Sequence, residues 1–91
     1  MLKIRKEGGR SYPYIECDVC GKPIEDGRYG LASFHENGRV KIIHKNSQGF
    51  KCDDGESLCT ELELFLFRLC HNTKIDLKWA EEAADDLEDL P

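Results

Sequence analysis

Cys17-Asp18-Val19-Cys20-Gly21-Lys22-Pro23 is the stretch on which the fold of this chain turns. A Cys-x-x-Cys turn with glycine directly after it presents two sulfurs at the separation a tetrahedral metal requires, and leaves backbone N–H groups free to bond them. A redox dithiol wants the same motif at a helix N-terminus. Here Gly21, Lys22, Pro23 and Gly27 follow, so no helix can aim its dipole at the sulfur. The pair reads as half of a metal site. His44 and Cys52 are the matching half: His44 closes a run of strand character and Cys52 precedes a run of helical character. The rival set pairs Cys52 with Cys59, which would put a ligand on the first turn of that helix. Against it, Cys59 falls with Cys70 on an apolar helical arc, where a free cysteine behaves as a small hydrophobe.

Outward from the motif, residues 29–36 and 39–45 read as two strands around Asn37-Gly38. That dipeptide between β-prone runs signals a hairpin with a type I′ turn, which needs positive φ at both positions. Alternation puts His44 on the same face as Val40 and Ile42, pointing inward at the strand end. His35, beside the turn, reads as an exposed strand residue. Upstream, Leu2 and Ile4 alternate weakly and suggest a short strand or a loose arm, with a turn at residues 7–11 and an extended segment at 12–16.

Downstream, Asp53, Asp54 and Ser57 are N-cap candidates for a helix over residues 55–71. At 100° per residue, Leu58, Cys59, Leu62, Phe65, Leu66, Leu69 and Cys70 share an arc of about 140°, while Leu64 and Phe67 lie outside it. His71 sits at the C-terminus of this helix, where a positive charge suits the dipole. Asp76 is the expected N-cap of a second helix over residues 77–90. There Leu77, Trp79, Ala80, Ala83, Ala84, Leu87 and Leu90 occupy one half, and Glu81, Glu82, Asp85, Asp86, Glu88 and Asp89 the other. The apolar half is expected to lie against Leu64 and Phe67.

A chain of 91 residues makes one domain and leaves no room for a deep substrate cavity beside a core. With 40% hydrophobic and 34% charged residues it is neither disordered nor membrane-spanning in composition, and Leu64–Phe67 is far too short an apolar run to cross a bilayer. No secretory segment is legible at Met1–Lys6, so the chain is expected in the cytoplasm, where its five cysteines read as metal ligands and buried thiols instead of disulfides. Charge is unevenly distributed. Residues 1–51 carry ten Lys and Arg against six Asp and Glu, and residues 52–91 carry three against twelve. That is not the footprint of a strong nucleic-acid binder, and it offers an acidic face to a basic partner.

The sequence therefore predicts an α+β fold: a small zinc-binding domain with a Cys17–Cys20 knuckle, an antiparallel hairpin, a third strand supplied by the N-terminus, and two C-terminal helices. Residues 1–71 form the zinc-binding part and residues 72–91 an acidic amphipathic helix packed on it or on a partner. Zinc is expected to be structural, with Cys17, Cys20, His44 and Cys52 as ligands. Such an ion would supply much of the folding free energy that a small core lacks.

Knuckle, hairpin, late ligands and following helix together resemble the treble-clef class of zinc-binding domains over residues 12–71. The chain departs from the class in one respect: seven residues separate His44 from Cys52, whereas the class draws its second pair from close together at the helix start. Members bind DNA, RNA or proteins and some are nucleases, so the resemblance selects no function.

Three functions follow as expectations. A protein-interaction or regulatory module fits the acidic half-helix and the surplus apolar surface at Leu64 and Phe67. Nucleic-acid binding would use the basic N-terminal half, with Tyr12 and Tyr14 as stacking platforms. Catalysis is not expected, because four ligands close the zinc shell and no phosphate loop or nucleophile motif accompanies them. A homodimer is expected if the second helix leaves Leu64 and Phe67 uncovered, since a second chain can exchange that helix.

Overall fold

The structure, a computed structural model, describes residues 1–86. It is an α+β fold with two antiparallel sheets and two helices. The first sheet is a hairpin of β1 (Leu2–Glu7) and β2 (Arg10–Ile15), in register from Leu2↔Ile15 to Glu7↔Arg10. Gly8 and Gly9 have φ of 56° and 80°, so the two-residue loop has the positive φ of a type I′ turn, whose twist matches that of the strands.

The second sheet carries β3 (Gly30–Phe34) at its centre, between β4 (Val40–His44) and β5 (Leu58–Glu61). The expected third strand from the N-terminus is thus corrected: β1 and β2 pair only with each other, and β5 takes that place. Residues 58–61 were expected inside a helix. They instead run antiparallel to β3, with Phe34↔Leu58 and Leu31↔Glu61 in register. The apolar spacing of Leu58, Cys59 and Leu62 fits a helix, but a long-range ladder outweighs it. Asp53 and Asp54 do cap, though not a helix: their carboxylates accept from the N–H groups of Gly55 and Glu56 at 3.0 and 2.9 Å, and Gly55 at φ 77° turns the chain into β5.

The hairpin of β3 and β4 is present, but its turn differs from the expectation. Gly38 has φ 80° and Asn37 does not share that region. The Gly38 N–H donates to His35 O at 3.0 Å and the His35 N–H to Arg39 O at 3.1 Å. This is a three-residue loop ending in a left-handed glycine, and Asn37 serves it by accepting from the Arg39 N–H at 3.0 Å.

Helix α1 (Leu62–Asn72) follows β5 directly and lies against β3. Leu62, 1% exposed, fits over Gly30: a Cβ there would stand 2.5 Å from Leu62 Cδ2. Phe65 meets Phe34 with ring centroids 6.0 Å apart. The helix ends in a Schellman closure, in which Ile75 N–H donates to Cys70 O at 3.0 Å, Lys74 N–H to His71 O at 3.4 Å, and Lys74 holds φ 51°. Helix α2 (Leu77–Asp86) starts as expected, with Asp76 Oδ1 accepting from the Trp79 N–H at 2.9 Å. Leu87, Glu88, Asp89 and Leu90 lie outside the described residues. Leu64, Phe67, Leu77 and Trp79 are all exposed, so among the described residues the expected cover of Leu64 and Phe67 is not made.

The buried set is short. Cys17, Ala32, Ile43 and Leu62 are its apolar side chains and Ser33 and His44 its polar ones, with Gly30 buried beside them, among the described residues. A core this small places much of the demand for stability on whatever holds Cys17 and His44.

Candidate metal centre

The site is built where three separate segments meet. The first is the loop after β2. Glu16 bridges to Pro23, the Cys17 N–H donates to Lys22 O at 2.9 Å, and the Gly21 N–H returns to Cys17 O at 3.0 Å. Gly21, at φ 74°, makes that return. The Val19 N–H points at Cys17 Sγ at 3.4 Å, the backbone-to-sulfur contact the Cys-x-x-Cys spacing anticipates.

Asp18 fastens this loop to the edge of β4. Its N–H donates to Ile42 O at 2.8 Å, and its Oδ2 accepts from the Ile42 N–H at 2.8 Å, completing a ladder rung with a side chain. Its other carboxylate oxygen lies 3.1 Å from the Met1 amino group.

His44, the last residue of β4, supplies the second segment and is 3% exposed. Its Nε2–H donates to Pro23 O at 3.1 Å, which leaves the Nδ1 lone pair directed at the sulfurs, 3.3 Å from Cys20 Sγ and 3.9 Å from Cys52 Sγ. A carbonyl on the outer nitrogen is the usual way a ligating imidazole is held in one tautomer and orientation. Phe50 stacks on the ring with centroids 3.7 Å apart and planes 4° from parallel.

Cys52 is brought in by the loop that follows. Ser47-Gln48-Gly49-Phe50 is a tight turn with φ of 53° and 86° at its centre and a 2.9 Å bond from the Phe50 N–H to Ser47 O. Asn46 then spans the loop, its Oδ1 accepting from the Asp53 N–H at 3.0 Å and its Nδ2 donating to Asp53 O at 2.8 Å. The separation between His44 and Cys52 is absorbed by this loop, and Asn46 sets its closure.

Cys17, Cys20, His44 and Cys52 thus converge, with one ligand atom from each and all four within 4.8 Å of one another. A tetrahedral ion with bonds of about 2.3 Å to sulfur and 2.0–2.1 Å to nitrogen has ligand–ligand edges of roughly 3.6–3.8 Å. The 3.3 and 3.9 Å contacts of His44 bracket that value. The four residues are positioned to bind a metal ion, and the set is compatible with zinc.

The electrostatics point the same way. Burial raises the Cys17 thiol, but the backbone of Cys20, Val19 and His44 and the Cys52 side chain outweigh it and bring it down to about 6. Burial, then the Cys17 and Cys20 sulfurs, push Cys52 up to about 11. One thiolate is favoured and opposes the next. A divalent cation resolves that opposition, because it compensates several thiolates at once.

Cys59 is not in this group. It lies on β5 opposite Ser33, its thiol 3.5 Å from Ser57 O, and Cys70 is half-buried on α1. His35 stands 3.4 Å from Ser33 Oγ beside the hairpin turn. Sequence reasoning missed Asp18, Asn46, the Pro23 carbonyl and Phe50. None carries a motif of its own; each acts through a backbone partner or a ring that only the folded chain brings near.

No protein-family profile matches the sequence, and comparison with curated proteins and with solved structures returns no match.

Proposed function

We propose that this chain is a structural-zinc domain of the treble-clef kind whose work is to bind another macromolecule, a protein in preference to a nucleic acid. The observation that carries the proposal is the Cys17–Cys20–His44–Cys52 cluster, drawn from three segments into one shell in a molecule with a very small core. The Cys17–Cys20 loop acts as the knuckle. With four protein ligands the shell has no open position for substrate, so the ion stabilises and does not catalyse.

The choice of protein over nucleic acid rests on what the charged and aromatic groups already do. Arg5 lies over the Tyr14 ring with its guanidinium carbon 5.7 Å from the centroid, which takes one face of that ring away from a base. Arg28 forms a two-pronged pair with Asp26, and Lys45 is paired with Glu61. The two helices also carry exposed apolar side chains, at Leu64, Phe67, Leu77 and Trp79, that a protein partner can cover. Among the described residues no helix is long and apolar enough to cross a membrane.

Elemental analysis and cobalt substitution test the metal half of this reading. Purified chain is expected to carry zinc, and cobalt(II) to give the strong visible absorption of a tetrahedral thiolate site. Chain that takes up no metal, or a cobalt spectrum of octahedral oxygen ligation, contradicts it. Salt-sensitive retention on DNA or RNA at low ionic strength would overturn the preference for protein.

A further inference from the structure

The outer edge of β1 is open, and the register of its hairpin fixes which groups line it. The Met1 amino group donates to Glu16 O at 2.7 Å and the Glu16 N–H to Met1 O at 2.8 Å, so this pair exchanges both of its bonds. Such pairs alternate along an antiparallel ladder, which gives Lys3 with Tyr14, Arg5 with Tyr12 and Glu7 with Arg10 the same role. Leu2, Ile4 and Lys6 therefore turn their N–H and C=O groups away from β2. All six residues of β1 are exposed, and among the described residues the strand pairs with β2 alone. Pairing is obstructed at two of the other edges. Pro13 has no N–H to offer on the outer side of β2, where Ile15 O already accepts from the Ile24 N–H at 2.8 Å. On β4 the outward rung at Ile42 is filled by Asp18. The edge of β5 is only four residues long. A six-residue edge with free donors and acceptors is a template for one more strand.

The side chains of β1 select what that strand carries. Alternation puts Leu2 and Ile4 on one face and Lys3 and Arg5 on the other. Leu2 and Ile4 are 82% and 61% exposed, so the hairpin itself leaves them to water. The strand holds Lys3, Arg5 and Lys6 against the single acid Glu7, which is already paired with Arg5 at 3.3 Å. A strand laid along this edge sets one of its faces beside Leu2 and Ile4 and the other beside Lys3 and Arg5. It is complementary when its residues alternate between apolar and acidic. A second copy of β1 fits poorly, since antiparallel pairing centred on Ile4 sets Lys3 of each chain against Arg5 of the other. A nucleic acid would meet Lys3 and Arg5 but leave Leu2, Ile4 and the outward backbone groups unmatched.

We propose that β1 binds an extended segment of another protein in which apolar and acidic residues alternate, the segment adding to the hairpin as a third strand. The inference deepens the reading of the chain as a protein-binding module by naming the surface and the chemistry of the partner, and rests on that reading.

The test titrates the metal-loaded full chain with a labelled peptide of about eight residues alternating valine and glutamate, followed by fluorescence anisotropy and amide exchange. Saturable binding is expected, with slowed exchange at the Ile4 and Lys6 N–H groups; those of Lys3, Arg5 and Glu7 are already bonded to β2. Ile4→Pro removes an outward donor and no ladder bond, and should weaken binding by about tenfold, while Ile4→Ala keeps the donor and should weaken it less. Protected exchange at Arg5 checks that the hairpin persists in the proline variant. Lys3→Glu alters only an exposed charge and should also weaken binding. The proposal is overturned by a metal-loaded chain that ignores the peptide, or by equal binding of a peptide alternating valine and lysine. Unchanged affinity in both Ile4→Pro and Lys3→Glu overturns it too, as does tighter binding of a single-stranded oligonucleotide to the same strand. Metal content is read in the same samples: metal-free chain defeats the earlier reading and this one with it, and a loaded chain indifferent to the peptide defeats this one alone.

Discussion

The two hairpins of this molecule have strands of nearly equal length and both pair antiparallel, yet they are held by different forces. Every side chain of β1 is exposed, and β2 buries none fully. The first hairpin is kept in register by its ladder and its Gly8-Gly9 turn, and it is fastened at its base by bonds from the Glu16 N–H to Met1 O and from the Ile24 N–H to Ile15 O. An isolated hairpin of this kind is marginal in water. The second hairpin buries Ala32, Ser33, Ile43 and His44, takes α1 on Gly30, and ends in His44, one of the four residues positioned to bind a metal ion. Local geometry suffices to form a hairpin. Long-range anchoring is what makes one part of a cooperative unit.

The contrast breaks most visibly if an anchor is removed. Cys17→Ser deletes the most buried member of the candidate metal cluster, and since metal-binding free energy is also folding free energy, it is expected to abolish both metal uptake and the cooperative melt. A normal melting curve for that variant would show that β3 and β4 stand without the ion.

Gly30→Ala probes the packing anchor. A methyl group 2.5 Å from Leu62 Cδ2 and 3.1 Å from its Cβ cannot be accommodated by a buried leucine without movement. The expected cost is about 1–3 kcal/mol by denaturant titration. Combining it with Leu62→Ala should cost less than the sum of the two, because the second substitution opens the space the first requires.

Asn46→Ala addresses the loop that delivers Cys52. Both bonds to Asp53 are lost, and metal affinity should fall by about 10–100-fold in competition with a chelating dye, as for other residues that orient a ligand. Unchanged affinity would mean that the loop closes without its bridge.

The smallest effect comes from a matched pair of turns. Gly9 and Gly38 both hold φ near 80°, where a Cβ costs about 1–2 kcal/mol. Gly38→Ala should lower the global melting temperature, because the turn belongs to the anchored hairpin. Gly9→Ala should fray only β1 and β2, seen as faster amide exchange there with the melting temperature nearly unchanged. Equal shifts in both would erase the distinction between the hairpins.

The convergence of Cys17, Cys20, His44 and Cys52 was legible because its chemistry is local and specific: Cys17 and Cys20 have the spacing of a metal-binding pair, and His44 stands at the end of a strand. The α2 cap was legible too, since Asp76 precedes a segment of two clean halves. Residues 58–61 were not. Their periodicity suits a helix, and only the β3 edge, many residues away, makes them a strand. Turn chemistry misled in a related way, for the left-handed pair falls at Gly8-Gly9 while Asn37 uses its side chain to bond Arg39. Asp18 and Asn46 were invisible because their role is to replace backbone rungs, which no spacing encodes.

Thermal unfolding of the metal-loaded chain, followed by circular dichroism with and without a strong chelator, tests the central claim most directly. Convergence of four ligands around a core this small predicts a cooperative transition that collapses or shifts far downward once the ion is withdrawn. An identical melting temperature in both samples, or protein that is metal-free from the outset and melts cooperatively, would contradict it.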